Sequence, residues 1–189
     1  MPSTAQRIVF PKPEEFLGTE NDGEWRHEFV NGVIYAMAGG SESHNLIAGN
    51  IAANLKLALP LACRTFSLDM KLGVSTSQEE HYYYPDVFVT CSPTDQDRHV
   101  KVEPLLVIEV LSPNTARTDR GEKFAAYKLV ASLIEYVLVE QDFQCIEIYR
   151  KRTNWQREIF EPDATIALES VGQTLTFEQI YRQIEFPAA

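Results

Sequence analysis

The chain has 189 residues, a formal net charge of −10 and 44% hydrophobic residues. This length and composition are typical of one globular domain with a substantial core. The acidic balance argues against a protein that coats nucleic acid through broad phosphate contacts. It leaves room for an enzyme that touches nucleic acid at one local site.

Two features of the sequence indicate where the protein works. No apolar run approaches the roughly 20 residues that span a bilayer, and residues 1–12 lack the pattern of a signal peptide. We therefore expect no membrane contact and a cytoplasmic location. Cys63, Cys91 and Cys145 lie far apart in the sequence without zinc-type spacing. We interpret them as small buried apolar residues in a reducing compartment.

The chain divides into an N-terminal arm, residues 1–23, and a single domain, residues 24–189. The arm carries prolines and a turn signal, which predict an extended segment or a short helix. The domain opens with Asn31-Gly32 between two runs of strand formers, which favours a two-residue β-hairpin turn. Glu28 lies on the first of these strands, where the simplest interpretation is the polar residue of an edge strand.

A helix is predicted from His44 to Leu59, because apolar residues recur there at helical spacing. His44 lies in its first turn, where a histidine either packs or caps the helix or serves as a ligand. Short strands are predicted next at Arg64–Leu68 and Met70–Ser75. The polar stretch Ser92–Glu103 is predicted to be a surface connection.

The segment Tyr82–Thr90 is predicted to be one strong strand. Pro85 is allowed near its start, where no ladder donor is needed. Asp86 follows and precedes the apolar run of the strand. An aspartate in this position either caps a turn or provides the first ligand of a site at the edge of the sheet.

The stretch Leu105–Leu111 is predicted to be the central strand, since six of its seven residues are apolar. The seventh, Glu109, is a carboxylate in the middle of this run. A buried carboxylate costs several kcal/mol or shifts its pKa unless a cation or hydrogen-bond donors meet it. Glu109 therefore needs either a structural partner or a metal ion.

A helix from about Arg120 to Val130 follows, and Asp119 with Glu122 matches a capping arrangement. Asp119, Lys123 and Tyr127 are spaced to share one side of this helix. We interpret Asp119 as the N-cap, with pairing to Lys123 as the alternative. We interpret Tyr127 as a packing residue or a hydrogen-bond partner of the site.

The C-terminal third is predicted to complete a mixed sheet. The strand Ile134–Val139 would run parallel to the central strand, because a helix connects the two. Cys145–Tyr149 and Trp155–Phe160 would form an antiparallel pair. A final helix is predicted at Phe177–Ile184 from its apolar face.

Asp86, Glu109 and Lys123 are the candidate catalytic residues. Two carboxylates on adjacent strands can hold a divalent cation through hard oxygen ligands, and the cation activates water and the phosphate that it attacks. A nearby lysine stabilises developing negative charge. Two carboxylates that hold a cation and one lysine are sufficient groups for the hydrolysis of a phosphodiester.

Several motifs together resemble a known family. Tyr84-Pro-Asp-Val87 followed by Ile108-Glu-Val-Leu-Ser-Pro113 is similar to the PD-(D/E)xK nuclease signature. With His27-Glu-Phe-Val-Asn-Gly32 and the Asp119, Lys123, Tyr127 series, the chain resembles the Uma-type family of restriction-endonuclease-like proteins. The resemblance extends roughly from Glu24 to Tyr149. Each motif is weak alone, and their order and spacing are specific together.

The resemblance implies an α/β fold with a restriction-endonuclease-like core, a central mixed β-sheet flanked by helices in the order αβββαβ. It implies Mg²⁺, with Mn²⁺ as a substitute, held by Asp86 and Glu109, and Glu28 as a third acid. The general signature places its lysine at position 111, where this chain has Leu111. The Uma-type pattern takes it from the next helix, as Lys123 here, and Lys71 is a weaker substitute.

The function that the resemblance implies is metal-dependent cleavage of DNA. Arg117, Arg120, Lys123 and Lys128 could add local attraction for phosphate. A homodimer is compatible with cutting two strands, although no stretch of sequence marks an interface. One alternative is a nuclease-fold scaffold without turnover that binds nucleic acid or a protein. Another α/β enzyme class ranks last, because the sequence lacks a phosphate-binding glycine loop and a nucleophile elbow.

Overall fold

The structure is a computed structural model that describes residues 12–22, 26–37, 39–76 and 79–186. Within these ranges the helical segments are α1 (Pro13–Asp22), α2 (Glu42–Ala58), α3 (Ala116–Thr118), α4 (Phe124–Tyr127) and α5 (Phe177–Ile180). A π-helical turn, Asp119–Lys123, joins α3 directly to α4. We call the continuous segment 116–127 the site helix.

The strands in the described residues group into three sheets. They are β1 (His27–Val30), β2 (Val33–Ala36), β3 (Arg64–Ser67), β4 (Lys71–Ser75), β5 (Glu80–Tyr83), β6 (Val87–Thr90), β7 (Val100–Lys101), β8 (Leu106–Leu111), β9 (Glu135–Glu140), β10 (Ile146–Arg150), β11 (Arg157–Phe160), β12 (Thr165–Leu168) and β13 (Gln173–Thr176).

The main sheet has six strands in the order β11-β10-β9-β8-β6-β3. The predicted central strand is β8, in which every residue is buried. It pairs antiparallel with β6 and parallel with β9, as expected for strands joined by a helix. Apolar residues of α2 cover one face of the sheet and the site helix covers the other. The predicted order αβββαβ is present as α2, β3, β6, β8, the site helix and β9.

A second sheet, in the order β2-β1-β5-β4-β7, carries the predicted hairpin. Asn31 and Gly32 have φ angles of 46° and 86°, as the two-residue turn between β1 and β2 requires. The prediction of one strand at Tyr82–Thr90 is wrong. The chain breaks at residues 84–86, with β5 in the second sheet and β6 in the main sheet. Asp86 therefore lies at the junction of the two sheets.

Other connections also differ from prediction. The stretch Ser92–Glu103 is not purely a surface connection, because β7 lies within it and Asp95 and Lys101 are buried. The hairpin of β12 and β13 was not predicted. The final helix α5 ends at Ile180, four residues before the predicted end. The strands β7, β12 and β13 were missed for one reason, because strands of two to four residues carry little periodic signal.

The cysteine prediction is wrong for two of the three residues. Cys63 and Cys91 form a disulfide, while Cys145 is free and half-buried. Cys63 precedes β3 and Cys91 follows β6, and these strands pair antiparallel. The register brings together two residues that are 28 positions apart. The prediction of a reducing compartment rested on three free thiols and loses that support.

The N-terminal helix α1 packs on the second sheet, where Phe16 contacts Phe29 and Ile34 in a small apolar cluster. The predicted boundary between arm and domain falls at residues 23–25, outside the described residues. The division into residues 1–23 and 24–189 therefore stays a prediction. Among the described helices, none combines the length and apolar character needed to cross a membrane.

Candidate active site

Strand pairing places the two candidate carboxylates side by side. Asp86 immediately precedes β6, and Glu109 lies in β8, the neighbouring strand. The backbone N–H of Asp86 donates to Oε2 of Glu109 at 3.2 Å. In return, Oδ2 of Asp86 accepts from the backbone N–H of Val110 at 2.7 Å. The backbones of the two strands thus fix both carboxylates at one end of the buried sheet.

The site helix brings Lys123 to these carboxylates. Its Nζ lies 3.3 Å from Oε1 of Glu109. It also lies 2.9 Å from Oε1 of Glu28 and 3.5 Å from Oδ1 of Asp119. We call Lys123, Glu28, Glu109 and Asp119 the lysine cluster. Three elements, β1, β8 and the site helix, therefore meet at one ammonium group.

The lysine cluster holds more negative than positive charge. Burial raises the pKa of Glu109, and the nearby charges of Asp119, Asp86 and Glu28 raise it further. Lys123 lowers this pKa but does not offset the other effects, so the pKa lies well above its usual value. Burial alone would lower the pKa of Lys123, but Glu109, Glu28 and Asp119 hold it well above its usual value. The lysine stays charged, and one ammonium group faces three carboxylates.

Two further predicted residues touch this site. The hydroxyl of Tyr127 donates to Oε1 of Glu109 at 3.1 Å, and its fully buried ring packs in an apolar cluster, so both of the predicted contacts are present. His44 lies on α2, and its Nε2 is 3.1 Å from Oδ2 of Asp86. Burial lowers the pKa of His44, but the contact with Asp86 outweighs it and the pKa is raised. All seven candidate residues therefore lie in one connected group.

The predicted role of Asp119 as a helix N-cap is wrong. The site helix begins at Ala116, so Asp119 lies inside it with helical φ and ψ of −65° and −42°. Its buried Oδ1 receives no hydrogen bond from the described residues. Lys123 is likewise not an exposed helix lysine, because only 7% of it is accessible. The π-helical turn inserts one residue per turn and carries both side chains to the same buried face.

The predicted basic patch beside the site is also wrong in part. Arg120 pairs with Glu140 and Glu147, and Lys123 pairs within the lysine cluster. Arg117 and Lys128 remain exposed. Lys71, the substitute lysine, is buried over the ring of Tyr84 at 5.6 Å and is not among the residues that line the site. Lys123 is therefore the lysine at the carboxylates.

The site opens into a cleft of about 840 Å³. Six acidic residues line it: Glu28, Asp69, Asp86, Glu109, Asp119 and Glu122. Among the described lining residues, Lys123 and His44 are the basic ones. The cleft is accordingly acidic, as the net charge of the whole chain suggested.

Three of the lining residues that were not predicted from the sequence are large, uncharged and exposed: Tyr35, Met37 and Leu68. All are substantially exposed, at 47%, 41% and 58%. The signal for Tyr35 was available, because it pairs across the predicted hairpin with Glu28 and cross-strand partners share a face. Leu68 gave no signal, since its place depends on the break between the two sheets.

The donor set suits a hard divalent cation. Mg²⁺ is usually bound by one or two carboxylates and retains several waters. Asp86 and Glu109 provide two adjacent carboxylates, and the unmatched negative charge favours a cation. Among the described residues, no group of three or more His, Cys, Asp or Glu side chains is arranged to hold a metal ion.

Comparison with known proteins identifies the family of this chain. Residues 13–178 match the family model described as "Uma2: Putative restriction endonuclease". The uncharacterized protein slr1290 of Synechocystis sp. is 35% identical over 183 residues, which covers 94% of this chain and 95% of that protein. The uncharacterized protein sll1609 of the same organism is 34% identical over 141 residues, or 72% and 78% of the two chains.

A solved structure shares the fold. The crystal structure of a putative nuclease belonging to DUF820 from Anabaena variabilis superposes with a TM-score of 0.72 and 22% sequence identity. The match covers 89% of this chain and 96% of that one. This likeness shows the α/β restriction-endonuclease-like fold that the sequence predicted. The chain belongs to the Uma2 family of restriction-endonuclease-like proteins.

Proposed function

We propose that this protein is a divalent-metal-dependent endonuclease that hydrolyses DNA phosphodiester bonds. The observation that carries the proposal is the convergence of Asp86, Glu109 and Lys123 at the mouth of one cleft. These residues come from three separate elements. A nuclease-like fold alone does not specify function, but this combination of groups matches the chemistry of phosphodiester hydrolysis.

In this proposal Asp86 and Glu109 hold Mg²⁺, or Mn²⁺ in its place. Such a cation supplies Lewis-acid activation of water and of the scissile phosphate. The protein contributes the fixed positions of the two carboxylates, each held by a backbone N–H of the neighbouring strand. Tyr127 holds Oε1 of Glu109 from the other side. Both oxygens of Glu109 are thereby oriented before any substrate arrives.

Lys123 provides positive charge rather than a base. Its pKa is raised by Glu109, Glu28 and Asp119, so the ammonium group keeps its protons at neutral pH. A charged donor of this kind stabilises the negative charge that develops on a phosphate in the transition state. Glu28 and Asp119 act as positioning residues, since they hold the ammonium group beside Glu109.

His44 is proposed to position Asp86. Its Nε2 contacts the same oxygen, Oδ2, that accepts from Val110. When protonated, His44 competes with a cation for this carboxylate. When neutral, its ring nitrogen can support the cation or one of its waters. His44 thus connects α2 to the site.

The first experiment is a calorimetric Mn²⁺ titration of the wild type beside Asp86→Asn and Glu109→Gln, followed by cleavage assays on plasmid and oligonucleotide DNA. We expect specific binding and cleavage by the wild type and loss of both in the two variants. Asp69→Asn is the matched control, because Asp69 lines the same cleft but is 73% exposed and contacts Arg26.

Failure of the wild type to bind Mn²⁺, with or without DNA, would refute the hydrolase. The acidic cleft would then favour the alternative, a nuclease-fold scaffold that binds a partner without turnover. Metal binding without cleavage of DNA would also contradict the proposal as stated. Equal loss of binding in Asp69→Asn would show that general negative charge, rather than the paired carboxylates, attracts the metal.

A further inference from the structure

Resting on the proposed function, we infer that the substrate is an unpaired nucleic-acid strand and that Tyr35 stacks on one of its bases beside the lysine cluster. The cleft is lined by two kinds of side chain. Six are acids, of which Glu109 and Asp119 are buried and Asp69 and Glu122 are exposed. Three other lining residues, Tyr35, Met37 and Leu68, are exposed and uncharged, and we call these three the rim.

The charge of the cleft disfavours a duplex held by its backbones. Proteins grip duplex DNA mainly by contacts to phosphates, for which Lys and Arg provide most of the affinity. Among the described residues lining the cleft, Lys123 is the single permanent cation, and three carboxylates already surround it. The cleft can accept one phosphate at a bound cation, but it offers little to a double row of phosphates.

The faces of unpaired bases complement the rim instead. A base face is uncharged and stacks on aromatic side chains, which is a sequence-tolerant way to hold a single strand. In a duplex these faces are stacked on their neighbours and are not available. The exposed ring of Tyr35 therefore favours a strand whose bases are free, and the proposed cation is the group that meets its phosphate.

Tyr35 is placed for this contact by the register of the first hairpin. It pairs directly with Glu28 across β1 and β2, so both side chains lie on one face. Oε1 of Glu28 is 2.9 Å from Nζ of Lys123. The tyrosine ring consequently stands next to the reacting centre, and 47% of it is exposed.

Leu68, a second residue of the rim, lies at a strained position. Its φ angle is +64°, a left-handed conformation that costs a non-glycine residue about 1–2 kcal/mol. Its backbone N–H donates to the carbonyl of Asp86 at 3.4 Å. The strain is localised beside a proposed metal ligand, and it presents an apolar side chain, 58% exposed, to the cleft. Strain retained at such a place is typical of a functional site.

The test compares a single-stranded DNA oligonucleotide, containing 2-aminopurine as a stacking probe, with the fully paired duplex of the same sequence. Binding is measured with Ca²⁺, which takes the same oxygen ligands, and cleavage is measured with Mn²⁺. The proteins are the wild type, Tyr35→Ala, Tyr35→Phe and the control Phe143→Ala. Phe143 is an aromatic residue of similar exposure, 54%, outside the lining of the cleft.

We expect the wild type to bind and cut the single strand in preference to the duplex and to quench the probe. Tyr35→Ala should weaken single-strand binding about five-fold or more and abolish quenching, since a stacked base contributes about 1–3 kcal/mol. Tyr35→Phe and Phe143→Ala should behave as the wild type. Thermal melting of each variant verifies that it is folded.

Two results would overturn the inference: equal single-strand affinity in Tyr35→Ala and the wild type, or a preference of the wild type for duplex. If one of these results is found and the wild type and Tyr35→Ala both still cleave DNA, the proposed function remains intact and the inference about the unpaired strand is refuted. Tyr35-dependent binding and quenching without any cleavage would support the inference and refute the hydrolase. Absence of all binding and cleavage would refute both.

Discussion

Two buried charge clusters of this protein are built on opposite principles. In the lysine cluster one ammonium group faces three carboxylates. In the second, which we call the arginine cluster, Glu147 accepts hydrogen bonds from Arg120, Arg157 and the hydroxyl of Tyr149. Both Glu109 and Glu147 are almost inaccessible, at 2% and 1%. Their partners differ, because Arg120 and Arg157 are 34% and 50% exposed whereas Lys123 is buried.

Their pKa values shift in opposite directions. Burial acts to raise the pKa of Glu147, but the hydrogen bonds from Arg120 and Arg157 outweigh it and the pKa is lowered. The pKa of Glu109 is raised, because Lys123 cannot offset burial and three neighbouring acids. The two arginines of the arginine cluster are balanced by Glu147 and by Glu140, which also pairs with Arg120. The lysine cluster leaves negative charge unmatched, which is the property that a cation-binding site needs.

The two clusters share the same turn of helix. Asp119 and Lys123 belong to the lysine cluster, and Arg120 belongs to the arginine cluster, yet all three lie in one π-helical turn. Arg120 anchors the turn to β10 through Glu147. The arginine cluster therefore holds in place the helical turn that carries Asp119 and Lys123 of the lysine cluster.

The largest predicted effect is that of Lys123→Met at pH 8 without metal. Removing the ammonium group leaves the buried Glu109 and Asp119 and the half-buried Glu28 without a positive partner, so we expect the free energy of unfolding to fall by about 3–5 kcal/mol. Urea denaturation measures this loss. Added Mn²⁺ should restore more stability to this variant than to the wild type. A loss below about 1 kcal/mol would contradict the central place of Lys123 in the cluster.

A second prediction concerns Glu147→Gln in the arginine cluster. We expect the free energy of unfolding at pH 7 to fall by about 2 kcal/mol, because charged hydrogen bonds to two arginines are weakened. The folded pKa of Glu147 lies below its ordinary value of 4.5. Its stabilisation is therefore present above pH 4.5 and is lost as the pH falls through the folded pKa. Denaturation curves at pH 7 and pH 3 should show the difference shrinking, and Mn²⁺ should not restore it.

The same substitution in the lysine cluster should have the opposite sign. Glu109→Gln removes one of the excess charges while Lys123 keeps Glu28 and Asp119, so we expect the metal-free protein to gain about 1 kcal/mol at pH 8. The melting temperature should rise by about 3 °C. If Glu109→Gln instead destabilises the protein at pH 8 as much as Glu147→Gln does, then Glu109 stabilises the fold as Glu147 does, and the lysine cluster carries no excess charge.

The pH dependence of this gain follows from the raised pKa of Glu109. The folded wild type holds a proton that the unfolded chain releases above its ordinary value of 4.5, so wild-type stability falls as the pH rises above 4.5. Glu109→Gln has no titrating carboxyl group at this position, so its stability does not fall in this way as the pH rises. Its advantage should be greatest at pH 8 and should narrow toward pH 5, as measured by thermal melts across that range.

The smallest predicted effect is that of Tyr127→Phe, which removes the hydroxyl that donates to Glu109. We expect a fall of about 0.5–1 kcal/mol in the free energy of unfolding, typical of one hydrogen bond, and weaker Mn²⁺ binding. In the Glu109→Gln background the same change should cost less if the two groups act together. Equal effects in both backgrounds would show that the hydroxyl of Tyr127 acts independently of the charge of Glu109.

The sequence located most of the fold and the candidate site. Apolar runs and helical periodicity identified β8, α2 and the parallel connection from β8 to β9, because these elements bury long, regular patterns. Motif order indicated the Uma2 family and pointed to Asp86, Glu109 and Lys123. The register of the first hairpin was equally readable, since Asn31-Gly32 specifies its turn.

The tertiary structure decided what local patterns cannot encode. The break at residues 84–86, the disulfide of Cys63 with Cys91 and the π-helical turn depend on how distant segments pack. The same is true of Asp119, which matches an N-cap in the sequence but lies within the helix and faces Lys123. The sequence alone determined which groups carry charge. Only the folded chain determined which of those charges find partners, because the pKa of a buried group depends on neighbours that are remote in sequence.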